Sequence, residues 1–359
     1  MPPETPHCEM TSMERVMTTI GLHEPDRVPL FLPLTVQGAA EMGVPLQEYF
    51  RSPRLMAESQ LRFRQRYGND FLCGPSYSAV EFEAFGGEVR FYERGPPNAG
   101  EPIVRSPDDI AGLGVPRIEE CPALCRLLEA QSLLSAAAKG AVPVVGVVVS
   151  PFSLPVMQMG FPAYLQMLMD VPEALEPLWS INETFCVAWA NAQLAAGATA
   201  LVYSDPVSSS TILTPELYRR LGQPIARRTL ARIAGPTVTH FASGRALSIL
   251  PDVLATGTQG VAISADDDLA AVKAAVGRRA SIFGNLNGLA MRHWNEAEAE
   301  RQVKNAIAAA GVGGGFVLTD HHGEIPFDVP DAVLLAVAES VRRWGQYPLT
   351  WVDAWRASR

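Results

Sequence analysis

The sequence predicts an α/β fold, a (β/α)8 barrel with N-terminal helices and an early loop or hairpin excursion. Three observations predict it. About eight short apolar or β-branched runs lie along the chain, and from residue 120 they alternate with helical stretches. The runs lack polar alternation, as parallel strands buried on both faces do. No Gly-rich phosphate loop follows the first run, where an open doubly wound sheet usually carries one. The 359 residues are expected to form one domain, 1–359, longer than the ~250 residues of a plain barrel.

The elements follow in order. Met13, Val16, Met17 and Ile20 recur at helical spacing within Thr11–Leu22, with Ser12 as the cap and Pro25 ending the segment. Val28–Leu32 reads as a first strand. Ser52 opens a helix over Pro53–Tyr67, since proline suits the first helical position. Phe71–Cys73 is a second short strand, and residues 86–118, rich in Gly, Pro and charge, form the excursion. Helix 120–139 then precedes strand 142–149, and helices 161–170 and 172–195 precede strand 199–204. Helices 215–233, 245–256, 268–276 and 295–310 precede strands 236–241, 259–263, 280–284 and 315–319, and helix 330–343 closes the chain.

Composition narrows the function classes. At 48% hydrophobic and 19% charged the chain is not disordered. A net charge of −9 argues against a general affinity for nucleic acid or anionic membrane. The start MPPETPHCEM lacks the basic and apolar runs of a signal peptide, and Ala141–Val149 is too short to span a bilayer, so a cytoplasmic location is expected. Five cysteines (Cys8, Cys73, Cys121, Cys125, Cys186) without a CxxC pair read as free thiols.

In such a barrel the reacting groups sit at the C-terminal ends of the strands. His240 ends the fifth strand and Asp320-His321-His322-Gly323-Glu324 follows the last, so three of six histidines converge on one face. Imidazole suits general acid–base work or metal ligation, with a helix cap or a strand-end hydrogen bond as the lesser alternative for His240. One of His321 and His322 is expected in the pocket, with Gly323 allowing close backbone approach. Asp205 in YSDPVSSS is a loop-start carboxylate, followed by Ser208 as a hydroxyl donor; helix capping is the plainer reading of the aspartate. Glu81 and Glu83 share a face only if their segment is extended. Gln37 after the first strand and Asn285 after the seventh are further substrate-binding candidates. The Asp266–Asp268 run reads as a loop and helix cap. There is no GxSxG elbow, HExxH helix, P-loop or CxxC…CxxC pattern.

Several blocks together carry a resemblance: MERVMTTIGLHEPDRVP, AVEFEAFGGEV, SPFSLPVMQMG, AQLAAGATALVYSDPVSSSTILTPELYRR, THFASGRALSILPDVLATGTQGVAIS, VGRRASIFGNLNG and DHHGEIPFDVP. The chain resembles the uroporphyrinogen decarboxylase superfamily over nearly its whole length, most closely the branch of corrinoid-dependent methyltransferases that methylate thiols. The resemblance implies a (β/α)8 barrel that moves a methyl group between a cobamide and a small acceptor or donor, with a corrinoid protein or free cobamide as partner and a homodimer as one assembly. Decarboxylation of a tetrapyrrole, or a non-catalytic corrinoid- or tetrapyrrole-binding barrel, is the alternative.

The thiol-methylating branch holds zinc with a His-x-Cys pair after the fifth strand and a cysteine after the last. Here His240 is present, Ala242 replaces the first cysteine, and His322 takes the place of the second. The resemblance thus leaves either a site of His240, His322 and one of Glu81, Glu83 or Asp205, or a metal-free pocket. The decarboxylase branch uses arginines after the first strand, and here no arginine follows Arg27 in that stretch. His240, His322, Asp205 and Glu81 are therefore the expected catalytic groups, with Glu83, Ser208, Asn285 and Gln37 binding substrate.

Overall fold

A computed structural model describes residues 9–74, 76–93 and 95–358. Eight strands form one parallel sheet: β1 (Leu30–Phe31), β2 (Leu72–Cys73), β5 (Val144–Val149), β6 (Ala200–Ser204), β7 (Thr237–His240), β8 (Gly260–Ala262), β9 (Ser281–Leu286) and β10 (Phe316–Asp320). The remaining pair, β3 (Val89–Arg90) and β4 (Asn98–Ala99), is an antiparallel hairpin inside the 86–118 excursion. The order β1-β10-β9-β8-β7-β6-β5-β2 pairs neighbours in sequence and also joins the first strand to the last. An open doubly wound sheet reverses its order at a switch point, and this one does not. The sheet curls into a (β/α)8-type barrel.

Side chains complete the seam between β1 and β2. The Asp70 backbone N–H donates to the Leu30 carbonyl at 2.9 Å. Asn69 accepts from Leu32 N–H and donates back to Leu32 O, both at 3.0 Å. The Asp70 carboxylate, 1% exposed, accepts from Leu30 N–H at 2.9 Å, Ser12 Oγ at 2.9 Å, and Arg15 and Arg27 at 2.7 Å each. Arg15 is 3% exposed and also pairs with Asp26 at 2.6 Å. The pairs thus satisfy charges that burial alone would make costly.

The N-terminal helix, Ser12–Ile20, is capped by Thr11 rather than Ser12, in a capping box with Glu14. Ser12 is one residue inside the helix, where its hydroxyl reaches Asp70. The helix ends at Gly21, four residues before Pro25. Pro53–Tyr67 is helical with Ser52 as its cap. Asp268 caps Leu269–Val276 through Ala270 and Ala271 N–H. The chain does not end on helix Asp331–Trp344, since a short helix over Val352–Ala357 follows. That helix packs through tryptophans: Lys304 Nζ lies 4.0 Å from the Trp344 ring centroid and 3.7 Å from that of Trp355. Cys73 and Cys186 are buried, Cys121 is partly buried and Cys125 is exposed, and all four are free thiols. Cys8 lies outside the described residues. Among the described residues no helix is long and apolar enough to cross a membrane.

Candidate functional site

Residues at the C-terminal ends of the strands surround a cavity of about 350 Å³ that extends down the barrel axis. Its polar mouth is made by Thr35, Ser204, His240, Asp320, His322 and Glu324.

His240 is the last residue of β7, in register with Ser204 on β6 and Ala262 on β8. The chain turns back at once, with Ala242 in the left-handed region at φ +50°, and the Ala242 N–H donates to His240 Nδ1 at 3.1 Å. An Nδ1 that accepts carries no proton, so this hydrogen-bond network assigns the proton of the neutral ring to Nε2. His240 Nε2 is buried and has no hydrogen-bond partner. Burial, aided by the nearby His322 and His321 rings, pushes His240 down to about 4. At neutral pH it therefore presents an uncharged, unpaired N–H donor beside the cavity.

The segment after β10 is folded around Asp320. Its carboxylate, 1% exposed, accepts from His322 N–H at 2.8 Å and Gly323 N–H at 3.1 Å. Burial outweighs these two bonds and raises Asp320 to about 7. Gly323, at φ +87°, lets this turn pass against His240; a Cβ there would stand 2.8 Å from the imidazole Cε1. His322 lines the cavity from its exposed rim, with Nδ1 2.7 Å from Ser243 Oγ. His321 points elsewhere: it is 4% exposed, and its Nδ1 accepts from Ala265 N–H at 3.1 Å. Glu324 accepts from Thr35 N–H at 3.2 Å, Val36 N–H at 3.1 Å and the Thr35 hydroxyl, yet burial raises it to about 8.

Of the residues expected from sequence, His240 and His322 line this cavity; Glu81, Glu83, Asp205, Ser208, Asn285 and Gln37 do not. Glu81 and Glu83 lie on a helix, Ala79–Ala84, so spacing two sends them apart. Glu81, 2% exposed, accepts from Val149 N–H at 2.8 Å while its other oxygen is unpartnered, and burial lifts it to about 8. Glu83 accepts from the Tyr77 hydroxyl at 2.6 Å. Asp205 accepts from Ser150 Oγ at 2.5 Å and Ser153 Oγ at 2.7 Å, and its own N–H donates to the His240 carbonyl at 2.7 Å. Burial raises its carboxyl pKa, and the serine hydroxyls work against that. Ser208 is fully buried, and its hydroxyl is one of those that act on the Asp205 carboxyl. Asn285 donates to Ser264 O at 3.0 Å, and Gln37 donates to Ile325 O.

Asp320, Glu324 and Cys73 also line the cavity. Asp320 and Glu324 belong to a motif that was noticed for its histidines, and the turn at Gly323 decides where their carboxylates go. Cys73 lines the cavity from β2, its thiol raised to about 12 by burial, with Glu324 adding to the effect.

The donor set does not fit zinc. A ring whose Nδ1 accepts a backbone N–H offers a proton at Nε2, not a lone pair. Among the described residues, no group of three or more His, Cys, Asp and Glu could hold a metal ion.

The sequence pattern of the uroporphyrinogen decarboxylase (URO-D) family matches residues 11–344. The chain is 25% identical over 287 residues to the methylcobamide:CoM methyltransferase MtaA of Methanosarcina barkeri, covering 78% of this chain and 83% of that protein. It is 27% identical over 353 residues to the uroporphyrinogen decarboxylase of Xanthomonas campestris pv. campestris (strain B100), covering 90% and 96%. In structure it is similar to a methyltransferase from Methanosarcina mazei, with a TM-score of 0.84 and 22% identity over 93% of this chain and 99% of that one.

Proposed function

The chain belongs to the uroporphyrinogen decarboxylase family, and on that premise we propose that it is a methyl-transferring member, moving a methyl group between a cobamide and a small acceptor or donor. One observation carries this reading. Among the described residues, no lysine or arginine lines the cavity, and most of its wall is apolar. A porphyrinogen bears several carboxylates, which bind poorly without guanidinium or ammonium partners. A methyl group is neutral and needs none. The similarity to a methylcobamide:CoM methyltransferase supports the same reading.

In the direction from cobamide to acceptor, the acceptor's heteroatom forms the new bond to the methyl carbon. The cobalt–carbon bond breaks with its electron pair left on cobalt, and the acceptor loses its proton. His240 Nε2–H is the group to orient the heteroatom, as a donor that stays neutral. Asp320, which titrates near pH 7, is the group to take the proton. Thr35 and Glu324 close the opposite side of the mouth. Asp205 and Glu81 act as positioning residues, holding the ends of β7 and β5 through the His240 carbonyl and Val149 N–H. The corrinoid is presented at the mouth, free or on a partner protein.

The test is anaerobic spectrophotometry of methylcobalamin with the purified chain and a panel of thiol acceptors. Enzyme-dependent loss of the methylcobalamin spectrum, reduced at least about tenfold in His240→Ala, is the expected result. No loss with any acceptor contradicts the reading.

A further inference from the structure

Eight-stranded barrels are ordinarily filled by their own inward side chains, layer upon layer. Here the axis is not filled. Val147, Val202 and Val238 sit side by side on β5, β6 and β7 in direct register. All three line the cavity, and all three keep solvent-accessible surface although they lie within their strands. His240 is two residues above Val238, so this valine layer lies directly beneath the imidazole, about 7 Å down the strand. Across the axis three phenylalanines form a second wall: Phe31 and Phe71 have ring centroids 4.9 Å apart, and Phe71 and Phe283 6.5 Å. Ala262 on β8, in register with Phe283 on β9, adds only a methyl group between the valine and aromatic walls. Helix Ser12–Ile20 lines the far end with Val16, Met17 and Ile20.

A close-packed interior gains nothing from a void, and a dry apolar void is costly to keep. Such cavities take up apolar guests: an engineered cavity of about 150 Å³ lined by Leu, Ile and Phe binds benzene. The present cavity, about 350 Å³, has room for a ring and its substituents. Between the ends its wall offers ring faces and methyl groups, with polar groups at the mouth and, at the far end, Thr199, Thr237 and Gln259.

We propose that the barrel axis holds a neutral, apolar, ring-sized body carried by the substrate, its heteroatom left at the mouth beside His240. This rests on the reading of the mouth as the reaction site, and it names the class of molecule presented there. An anionic thiol or a polycarboxylate offers no such body. Val147, Val202 and Val238 then determine specificity by the space they leave.

The experiment reads binding without cobamide, so its outcome is separable from that of methyl transfer. The full chain is titrated calorimetrically with toluene, and in parallel with benzoate, which has the same ring but a charge. Saturable toluene binding, with benzoate at least about tenfold weaker because its carboxylate would be buried unpaired, is the expected result. Val202→Phe fills the channel and is expected to weaken toluene binding at least about tenfold, with an unchanged circular dichroism spectrum. If that variant does not fold, Val238→Leu, which adds one carbon, decides by a several-fold loss. Absence of toluene binding in the wild-type chain overturns the proposal. So does benzoate binding as tightly as toluene, or toluene affinity unchanged in whichever folded filling variant is measured.

Discussion

Glu81 gives the most quantitative prediction. Its carboxyl is 2% exposed, one oxygen accepts from Val149 N–H, and the other has no partner. Burial raises it from an ordinary value near 4.5 to about 8. Between those two values the folded chain keeps a proton that the unfolded chain releases, so this group lowers stability as pH rises. The slope is about 1.4 kcal/mol per pH unit, and the whole window amounts to about 5 kcal/mol. Glu81→Gln keeps the acceptor for Val149 N–H and cannot ionise. Equilibrium urea denaturation at pH 5, 6, 7 and 8 should therefore show the variant gaining on the wild type by about 4 kcal/mol across the series. Asp320 and Glu324 act with the same sign. His240, lowered to about 4, acts oppositely, losing stability as pH falls from 6.5 to 4. All three are common to both proteins and cancel in the difference. A difference that stays flat from pH 5 to 8 would mean that Glu81 is ionised in the fold, and would refute the burial of its second oxygen without a partner.

Three further outcomes follow from the packing. Asp70→Ala leaves Arg27 without its carboxylate partner and Arg15 with Asp26 alone, and opens the β1–β2 seam, so a loss of about 3–5 kcal/mol is expected by denaturation; a loss below about 1 kcal/mol would show that the seam does not depend on the carboxylate. Gly323→Ala places a Cβ 2.8 Å from His240 at φ +87°, and should cost about 1–2 kcal/mol in stability while lowering kcat more than KM rises. Lys304→Met removes the cation above Trp344 and Trp355, and should cost about 1–2 kcal/mol with a change in tryptophan fluorescence; an unchanged Tm would mean the rings pack equally well without it.

The fold was legible because its signal is periodic and repeated. Even β1 and β2, two residues each, stand out as short apolar runs next to turn signals, and Ser52-Pro53 marked its helix to the residue. His240 and His322 were legible because a strand end fixes where a side chain begins. Orientation beyond that point was not. Glu81 and Glu83 converge only on a strand, and the six residues Ala79–Ala84 carry no period long enough to reveal a helix. Asp320 and Glu324 turn inward because Gly323 adopts a positive φ, which composition does not record. Cys73 faces the axis because of the parity of a two-residue strand, and so short a run has no alternation to read. The hollow axis was hidden for a further reason: Val147, Val202 and Val238 are ordinary barrel residues, and only their exposure distinguishes them.

Methyl chemistry at a barrel mouth with no lysine or arginine among its described lining residues is checked by giving one preparation both family reactions. The wild-type chain is incubated anaerobically with methylcobalamin and acceptor, and separately with uroporphyrinogen, and cob(I)alamin formation and CO2 release are measured in parallel. Cobalamin demethylation that depends on His240 is expected, with no CO2 above the protein-free control. Steady CO2 release with an intact methylcobalamin spectrum would contradict it.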